Sequence, residues 1–214
     1  MSKMKVFCFG FGQVAKYFIK KILKEKIALE LNVTSRKNTH NLTFDGLDMN
    51  SFEFNNKKID KNIDTKVQDA DFVLVSIPPV EDEDIVLKNF KEILKKSKPK
   101  WITYLSATSV YGNHDGEWVN EESETKPTST SGIKRLQAEN QWLKFSFDNN
   151  LPLQIFRLSG IYSIQNNILK RLISGQAKIV KKENHFFSRI HVEDIANILF
   201  KSLDNFKNNE IYNI

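Results

Sequence analysis

The sequence predicts an α/β protein in which helices cover both faces of a doubly wound parallel sheet. Three observations predict this fold class. Short apolar runs alternate with stretches of helical spacing, and these stretches are long enough to be crossover helices. Two of the runs, over 71–77 and 101–105, are of the almost continuously apolar type that is typical of strands buried on both faces. The 214 residues, 40% hydrophobic and 27% charged, suffice for one well-buried globular domain. We expect a single domain over residues 1–214.

The first half of the chain begins with a strand, a glycine turn and a helix. Residues 5–9 (KVFCF) form an apolar run, and beyond the glycines Val14, Phe18 and Ile22 recur at helical spacing. Residues 71–77 (DFVLVSI) are a continuous apolar run, which predicts a buried strand. The predicted elements of this half are strands over 5–9, 28–33, 51–54, 71–77 and 101–105 and helices over 13–23 and 84–96.

The second half continues the alternation of helices and strands. A long stretch of helical spacing over 131–147 precedes an apolar run over 153–158. A short helix is predicted over 166–174, a longer helix over 192–203 and a last strand over 210–214. Because strands joined by crossover helices run in the same direction, the sheet should be largely parallel.

The turn after the first strand is the strongest functional motif. Residues 10–15 read Gly-Phe-Gly-Gln-Val-Ala, a GxGxxA pattern that follows a strand and opens a helix. The first glycine permits the tight turn, the second lets a pyrophosphate approach the backbone, and the alanine lets helix and strand pack closely. Free amides and the helix dipole would hold the phosphates, so Gly10, Gly12, Gln13 and Val14 are predicted to bind a dinucleotide in a Rossmann-like fold. A purely structural turn is the alternative.

The end of the second predicted strand favours NADP(H) over NAD(H). An NAD site usually presents an acid about 20 residues after the glycines, whereas an NADP site accommodates the 2′-phosphate with arginine. Here the chain carries Thr34, Ser35, Arg36 and Lys37, and no acid. Since Thr34 and Ser35 can hydrogen-bond and Arg36 can pair with a phosphate, we predict NADP, with NAD as the alternative cofactor. The other interpretation is that Arg36 and Lys37 only begin a solvated loop.

The basic charge does not indicate a nucleic-acid partner. The net charge of +6 comes mainly from scattered lysines, and arginine occurs only at positions 36, 135, 157, 171 and 189. No stretch approaches the roughly 18 apolar residues of a membrane span. We therefore expect a cytoplasmic protein that acts on a small molecule, with neither nucleic acid nor membrane as partner.

Cysteine and histidine are too sparse to predict a disulfide or a metal site. The single cysteine, Cys8, lies in an apolar run and fits a reducing compartment. His114, Asp115 and Glu117 are close in sequence, but they are bunched on a loop without a second histidine. No metal is predicted.

Several segments resemble one superfamily, the extended short-chain dehydrogenase/reductases, also called NAD-dependent epimerase/dehydratases. The segments YLSATSVYG, GEWVNEE and SRIHVEDIA are specific in combination, and the matches follow the family's order along nearly the whole chain. The matching stretches are residues 7–15, 73–79, 104–112, 116–122, 127–139, 157–162 and 188–196.

The resemblance breaks down at the catalytic residues. The family uses a tyrosine four residues before a lysine, with a serine or threonine on the preceding strand, and the lysine lowers the pKa of the phenol that exchanges a proton with substrate. Here Ser131 aligns with that tyrosine and Arg135 with that lysine, while Ala107 aligns with the serine or threonine and Thr108 lies one step away. This pattern resembles the atypical branch of the superfamily. Thr108, Tyr111, Ser131 and Arg135 are the candidates for any remaining catalysis, with Tyr111 as a substitute proton donor.

The resemblance implies further cofactor contacts after the later strands. Ser106 would lie beside the nicotinamide ribose. Ser76, Ile77 and Pro78 would line the cofactor, and Ser159 and Gly160 would approach the nicotinamide. It also implies that the segment 163–190 lies on the substrate side, that the usual C-terminal substrate lobe is reduced or missing, and that a homodimer would pair through the helix over 131–147.

Three functions remain open at this point. The first is an NADP(H)-binding protein of the epimerase/dehydratase type with a degenerate catalytic triad. The second is an NAD(P)-dependent oxidoreductase or epimerase that acts on a sugar-like or nucleotide-linked substrate with replacement catalytic residues. The third is a non-catalytic NADP redox sensor or partner subunit.

Overall fold

The computed structural model describes residues 3–37, 41–55, 57–178 and 186–214. Within them the central sheet follows the order β11-β8-β7-β6-β1-β2-β4-β3, with β5 paired to β4. Its strands are β1 (Met4–Phe9), β2 (Leu29–Ser35), β3 (Leu42–Phe44), β4 (Leu47–Asn55), β5 (Lys58–Ile59), β6 (Phe72–Val75), β7 (Trp101–Ala107), β8 (Leu153–Leu158) and β11 (Glu210–Asn213). All neighbours are parallel except the pairs that β4 makes with β3 and β5. A separate parallel pair joins β9 (Gly160–Tyr162) to β10 (Arg189–His191).

Helices cover both faces of the sheet, which confirms the predicted fold class. The helices are α1 (Gln13–Lys24), α2 (Ile63–Gln68), α3 (Ile85–Lys96), α4 (Thr130–Asn149), α5 (Ile168–Ile173) and α6 (Val192–Ser202). One hydrophobic cluster packs α1 and α6 on one face, and a second packs α2, α3 and α4 on the other. None of the helices in the described part of the chain is both long and apolar enough to cross a bilayer.

Strand β1 shows why the apolar runs are continuous. Its side chains alternate between the two faces, so Val6 and Cys8 join the α1/α6 cluster while Phe7 and Phe9 join the other. All four are 0% exposed. Burial raises the pKa of the Cys8 thiol to about 12, and this residue is therefore a packing group rather than a reactive thiol.

The region between β2 and α2 differs most from the prediction. The strand expected over 51–54 extends over Leu47–Asn55, and two short strands, β3 and β5, were not predicted. The turn between β3 and β4 is Asp45-Gly46, and both residues have positive φ, 48° and 78°. An Asp-Gly pair with left-handed backbone at both positions is typical of a tight hairpin, and it is the sequence feature that would have located this turn.

Candidate functional site

The candidate site lies between β1 and β6, where the order in which the chain adds strands to the sheet reverses. Strands β1 and β6 are neighbours, and from this pair the chain continues outward through β2 on one side and through β7 on the other. In open α/β sheets ligands bind at this place, beyond the carboxyl ends of the strands. The turn after β1 and the loop after β6 meet here, so the fold brings the two predicted cofactor segments together.

Gly10 holds the tight turn after β1. Its φ is +87°, and a Cβ added there would lie 2.8 Å from Ser76 Oγ and 3.1 Å from Ile77 Cγ1. The Gly10 amide donates to Thr34 Oγ1 at 2.8 Å, and the Ser76 hydroxyl donates to the carbonyls of Phe9 and Gly10, each at 3.1 Å. Thr34 and Ser76 thus fix the backbone of the turn rather than offer their hydroxyls to solvent.

Gly12 opens the turn towards solvent. It is the N-cap residue of α1, no side chain caps this helix end, and a Cβ built on Gly12 would meet nothing within 4 Å. Nearby, Gln13 Nε2 is buried and has no hydrogen-bond partner among the described residues. Val14 is 7% exposed and packs into the core, so only its backbone amide can face a ligand. An uncapped helix N-terminus with open space in front fits the pyrophosphate of a dinucleotide.

The end of β2 presents the predicted 2′-phosphate side of the site. Arg36 is exposed, its carbonyl accepts from Asn55 Nδ2 at 3.0 Å, and no carboxylate in the described ranges pairs with its guanidinium. The Ser35 hydroxyl donates to the Lys37 carbonyl, and the Ser51 hydroxyl lies 3.2 Å from Ser35 Oγ. Arg36 is therefore available to an anion beside the first βα turn.

Ser106, near the end of β7, carries an unsatisfied polar group at the same edge. It is 3% exposed, and its buried hydroxyl has no hydrogen-bond partner among the residues that the structure describes. Arg135 on α4 reaches this edge from the side, where its Nη1 donates to the Leu105 carbonyl at 2.6 Å. A ribose hydroxyl is one group that would satisfy such a buried serine.

The start of α4 packs against the turn that follows β7. Ser129 caps the helix by accepting from the Gly132 amide at 3.1 Å, and a Cβ on Gly132 would lie 2.6 Å from the Ser109 carbonyl oxygen. This packing places the exposed Ser131 beside the 3-10 turn Thr108–Val110. Thr108 and Ser131 are thus brought to one end of the sheet, and both carry hydroxyls rather than a phenol.

Tyr111 lies in a buried hydrogen-bonded network. It is 2% exposed, and its hydroxyl donates to Asn213 Oδ1 at 2.7 Å and accepts from Arg157 Nη1 at 2.8 Å. Arg157 also forms a forked ion pair with Glu139 at 2.8–3.2 Å, with side-chain exposures of 5% and 1%. The Tyr111 proton is thus committed within the protein, an arrangement that does not favour its use as a substitute donor. The sequence argument did not foresee the Glu139–Arg157 pair.

The loops after β6 and β8 complete this edge of the sheet. Pro78 is exposed beyond β6. The Ser159 amide donates to the Ile214 carbonyl at 2.7 Å and the Gly160 amide to the Ser188 carbonyl at 3.1 Å. The guanidinium of Arg189 lies directly against Gly160, where a side chain would collide with it.

Comparison with solved structures finds the same fold in proteins of different sequence. A functionally unknown conserved protein from Silicibacter pomeroyi DSS is 29% identical, with a TM-score of 0.81, over 98% of this chain and 70% of that one. A UDP-glucuronic acid 4-epimerase from Bacillus cereus, in complex with UDP-glucuronic acid and NAD, is 16% identical (TM-score 0.78; 99% and 77% coverage). MoeE5, in complex with UDP-glucose and NAD, is also 16% identical (TM-score 0.76; 98% and 75%). At 16% identity the similarity establishes the fold alone.

The sequence comparison is more specific. No protein of curated function matches the chain. Residues 80–214, more than half of the chain, match the NAD dependent epimerase/dehydratase family. This match covers the region from the loop after β6 to β11, and the glycine turn and switch point described above lie in the preceding residues. The chain therefore belongs to the NAD-dependent epimerase/dehydratase family.

Proposed function

We propose that this protein binds NADP(H) at the carboxyl edge of its sheet and has a degenerate catalytic triad. The observation that carries the proposal is the open, uncapped N-terminus of α1 at Gly12, held in place by the Gly10 turn. Gly12, Gln13 and the backbone of Val14 would hold the pyrophosphate, and the buried Ser106 hydroxyl would bond to a ribose. When bound, the nicotinamide supplies a centre that accepts or donates hydride.

The preference for NADP(H) is supported by the charge at the end of β2. An exposed arginine without a carboxylate partner among the described residues stands where an NAD site presents an acid. A guanidinium can form two parallel hydrogen bonds with a phosphate, so Arg36 would discriminate for the 2′-phosphate.

Replacing Arg36 with alanine is expected to abolish this preference. Because the residue is exposed, we expect NADPH affinity to fall about tenfold, the equivalent of one charge-assisted hydrogen bond, and NADH affinity to stay the same. Titration of nucleotide fluorescence at constant ionic strength measures both affinities, and the exposed Lys26→Ala variant is the control. A wild-type protein that binds NADH more tightly than NADPH would refute the assignment to Arg36.

The catalytic part of the proposal rests on the residues that replace the family's acid–base pair. Ser131 offers an alcohol whose proton is not lost near neutral pH, and Arg135 remains charged, so neither can replace the tyrosine directly. Tyr111 is engaged by Arg157 and Asn213. The geometry therefore supports cofactor binding with slow or no hydride chemistry.

Restoring the family's pair tests this conclusion. We expect the Ser131→Tyr/Arg135→Lys double variant to raise hydride transfer at least about 100-fold, the usual contribution of a general acid. The measurement is deuterium transfer from labelled NADPH into a panel of nucleotide-linked keto sugars, followed by mass spectrometry. Rapid transfer by the unmodified protein would contradict the degenerate triad, and tight NADPH binding without transfer by either protein would favour a redox sensor.

A further inference from the structure

The two short strands β9 and β10 form a ribbon with one apolar face and one polar face. Ile161 and Ile190, which are register partners, pack against the hydrophobic cluster of α1 and α6. Because side chains alternate along a strand, the other residues of the two strands point away from this cluster. They form what we call the outer ribbon face, which consists of Gly160 and Tyr162 on β9 and Arg189 and His191 on β10.

The outer ribbon face begins at the edge of the sheet where the cofactor is proposed to bind. Leu158, the last residue of β8, is the register partner of Ala107, which directly follows Ser106. Gly160 comes two residues later, beyond the carboxyl end of β8. Ligands of open α/β sheets bind beyond the carboxyl ends of the strands. The face therefore adjoins the proposed ribose contact at Ser106.

Packing contacts hold the guanidinium of Arg189 in place. A Cβ built on Gly160 would lie 3.1 Å from Arg189 Cζ and closer still to Nη1, so the guanidinium occupies the space that a side chain at position 160 would need. Arg189 Cζ also lies 5.0 Å from the centroid of the Phe187 ring. A guanidinium stacked on a ring keeps the N–H donors in its plane available.

Arg189 has no anionic partner in the described part of the chain. Its guanidinium forms neither a hydrogen bond nor an ion pair there, and the residue is exposed. The carboxylate of Glu193 lies 3.9 Å from His191 Nδ1. A long side chain that is already held in one place loses less conformational entropy when it binds a ligand. The geometry thus presents a prepared donor group to an anion.

A single fixed guanidinium suits a carboxylate. Its fork donates two parallel hydrogen bonds to the two oxygens and neutralises one charge. A pyrophosphate carries more charge than one arginine neutralises, and β9 and β10 contain no second arginine or lysine. The rings of Tyr162 and His191, 5.0 Å apart, add hydrogen-bonding groups that suit hydroxyls.

We propose that Arg189 is a specificity-determining residue that binds a carboxylate group of the substrate, and that position 160 is glycine because the guanidinium needs its space. The substrate is then a hydroxylated acid, such as a sugar acid, free or linked to a larger carrier. The inference rests on the proposed cofactor site, since it places the carboxylate beside the nicotinamide end of that site.

Three ligands that share one ring and differ in charge test the proposal. Glucuronate, glucose 6-phosphate and glucose are titrated into the wild type, with and without saturating NADPH, and each Kd is measured by ligand-observed NMR. We expect glucuronate to bind at least about tenfold more tightly than glucose, the equivalent of one charge-assisted hydrogen bond, and more tightly than glucose 6-phosphate. Equal affinities for glucuronate and glucose, or tightest binding of the phosphate, would overturn the carboxylate assignment.

The Arg189→Gln variant should lose the preference for glucuronate. Arg189→Lys retains the charge without the fork and should recover only part of the preference. The control Lys207→Gln removes one exposed positive charge at the other end of the sheet, where Asn208 and Asn209 bond to Leu153 at the start of β8. It should leave the preference unchanged.

The Gly160→Ala variant tests the position of the guanidinium. The added Cβ would displace Arg189 but leave its charge in the protein, so the affinity for glucuronate should fall about as far as in Arg189→Gln. In the Arg189→Gln background the same change should have little further effect. If the contact serves the fold alone, Gly160→Ala will lower the melting temperature and bind glucuronate as tightly as the wild type does.

Cofactor titrations keep the two proposals apart. If the wild type binds neither NADPH nor NADH, the proposed function fails, whatever the result with glucuronate. If it binds NADPH and Arg189→Gln has the wild-type affinity for glucuronate, the proposed function stands and the role of Arg189 is refuted. We expect Arg189→Gln to bind NADPH normally, and an equal loss of NADPH affinity would assign Arg189 to the cofactor instead.

Discussion

Changing Gly12 to valine should weaken NADPH binding by about 100-fold and leave the fold intact. The new side chain would fill the open space in front of α1 and block hydrogen bonds between phosphate and amides, each worth about 1.5–3 kcal/mol. A Cβ built at Gly12 meets nothing within 4 Å of the protein, and Gly12 has an ordinary φ of −80°. We therefore expect the free energy of unfolding to change by no more than about 1 kcal/mol, the typical range for an N-cap. Fluorescence titration and urea denaturation measure the two quantities.

The neighbouring Gly10 provides the matched control. Gly10→Ala places a Cβ 2.8 Å from Ser76 Oγ on a backbone with φ of +87°, so it should destabilise the protein by about 1–3 kcal/mol. Cofactor affinity would change through the turn rather than by direct obstruction. If Gly12→Val binds NADPH as tightly as the wild type does, the proposal that the pyrophosphate binds at the N-terminus of α1 is wrong.

The second large effect is expected from the buried pair of Glu139 and Arg157. Glu139→Gln leaves the Arg157 charge without its carboxylate in a place where the two side chains are only 1% and 5% exposed. Removing one partner of a buried ion pair costs about 3–5 kcal/mol, mainly because the remaining charge stays desolvated. We expect a loss of this size in urea denaturation. A smaller loss, about 1 kcal/mol, should follow Tyr111→Phe, which removes two hydrogen bonds of the same network.

An exposed ion pair on the same helix is the control for this experiment. Lys144 and Asp148 are 2.9 Å apart, with side-chain exposures of 78% and 49%. Asp148→Asn should change the free energy of unfolding by at most about 0.5 kcal/mol. Equal effects of Asp148→Asn and Glu139→Gln would show that burial does not govern the strength of the Glu139 pair.

Much of the fold was predictable because its strongest patterns are local. A strand buried on both faces is largely apolar; β6 is apolar throughout and β1 and β8 are mostly so, and all three were located within a few residues. The glycine turn was predictable for the same reason, since Gly10, with its positive φ, directly follows a predicted strand.

The features that were missed depend on contacts distant in sequence. Tyr111 was predicted as a substitute proton donor, but its hydroxyl is bound to Arg157 on β8 and Asn213 on β11. Glu139 and Arg157 pair only because α4 packs against β8, and no spacing in the chain indicates this. The β3–β4 hairpin is different: its Asp-Gly turn was visible, but the polar surroundings obscured the strands.

The position of β11 has a consequence for synthesis of the protein. Strand β8 pairs with β7 on one side and with β11 on the other. During translation the second edge of β8 stays unpaired until residues 159–209 have been made and β11 follows. Open strand edges recruit other chains, so the nascent polypeptide passes through an interval in which β8 is prone to aggregate. Chaperone dependence in the cell should therefore concentrate on this late stage of elongation.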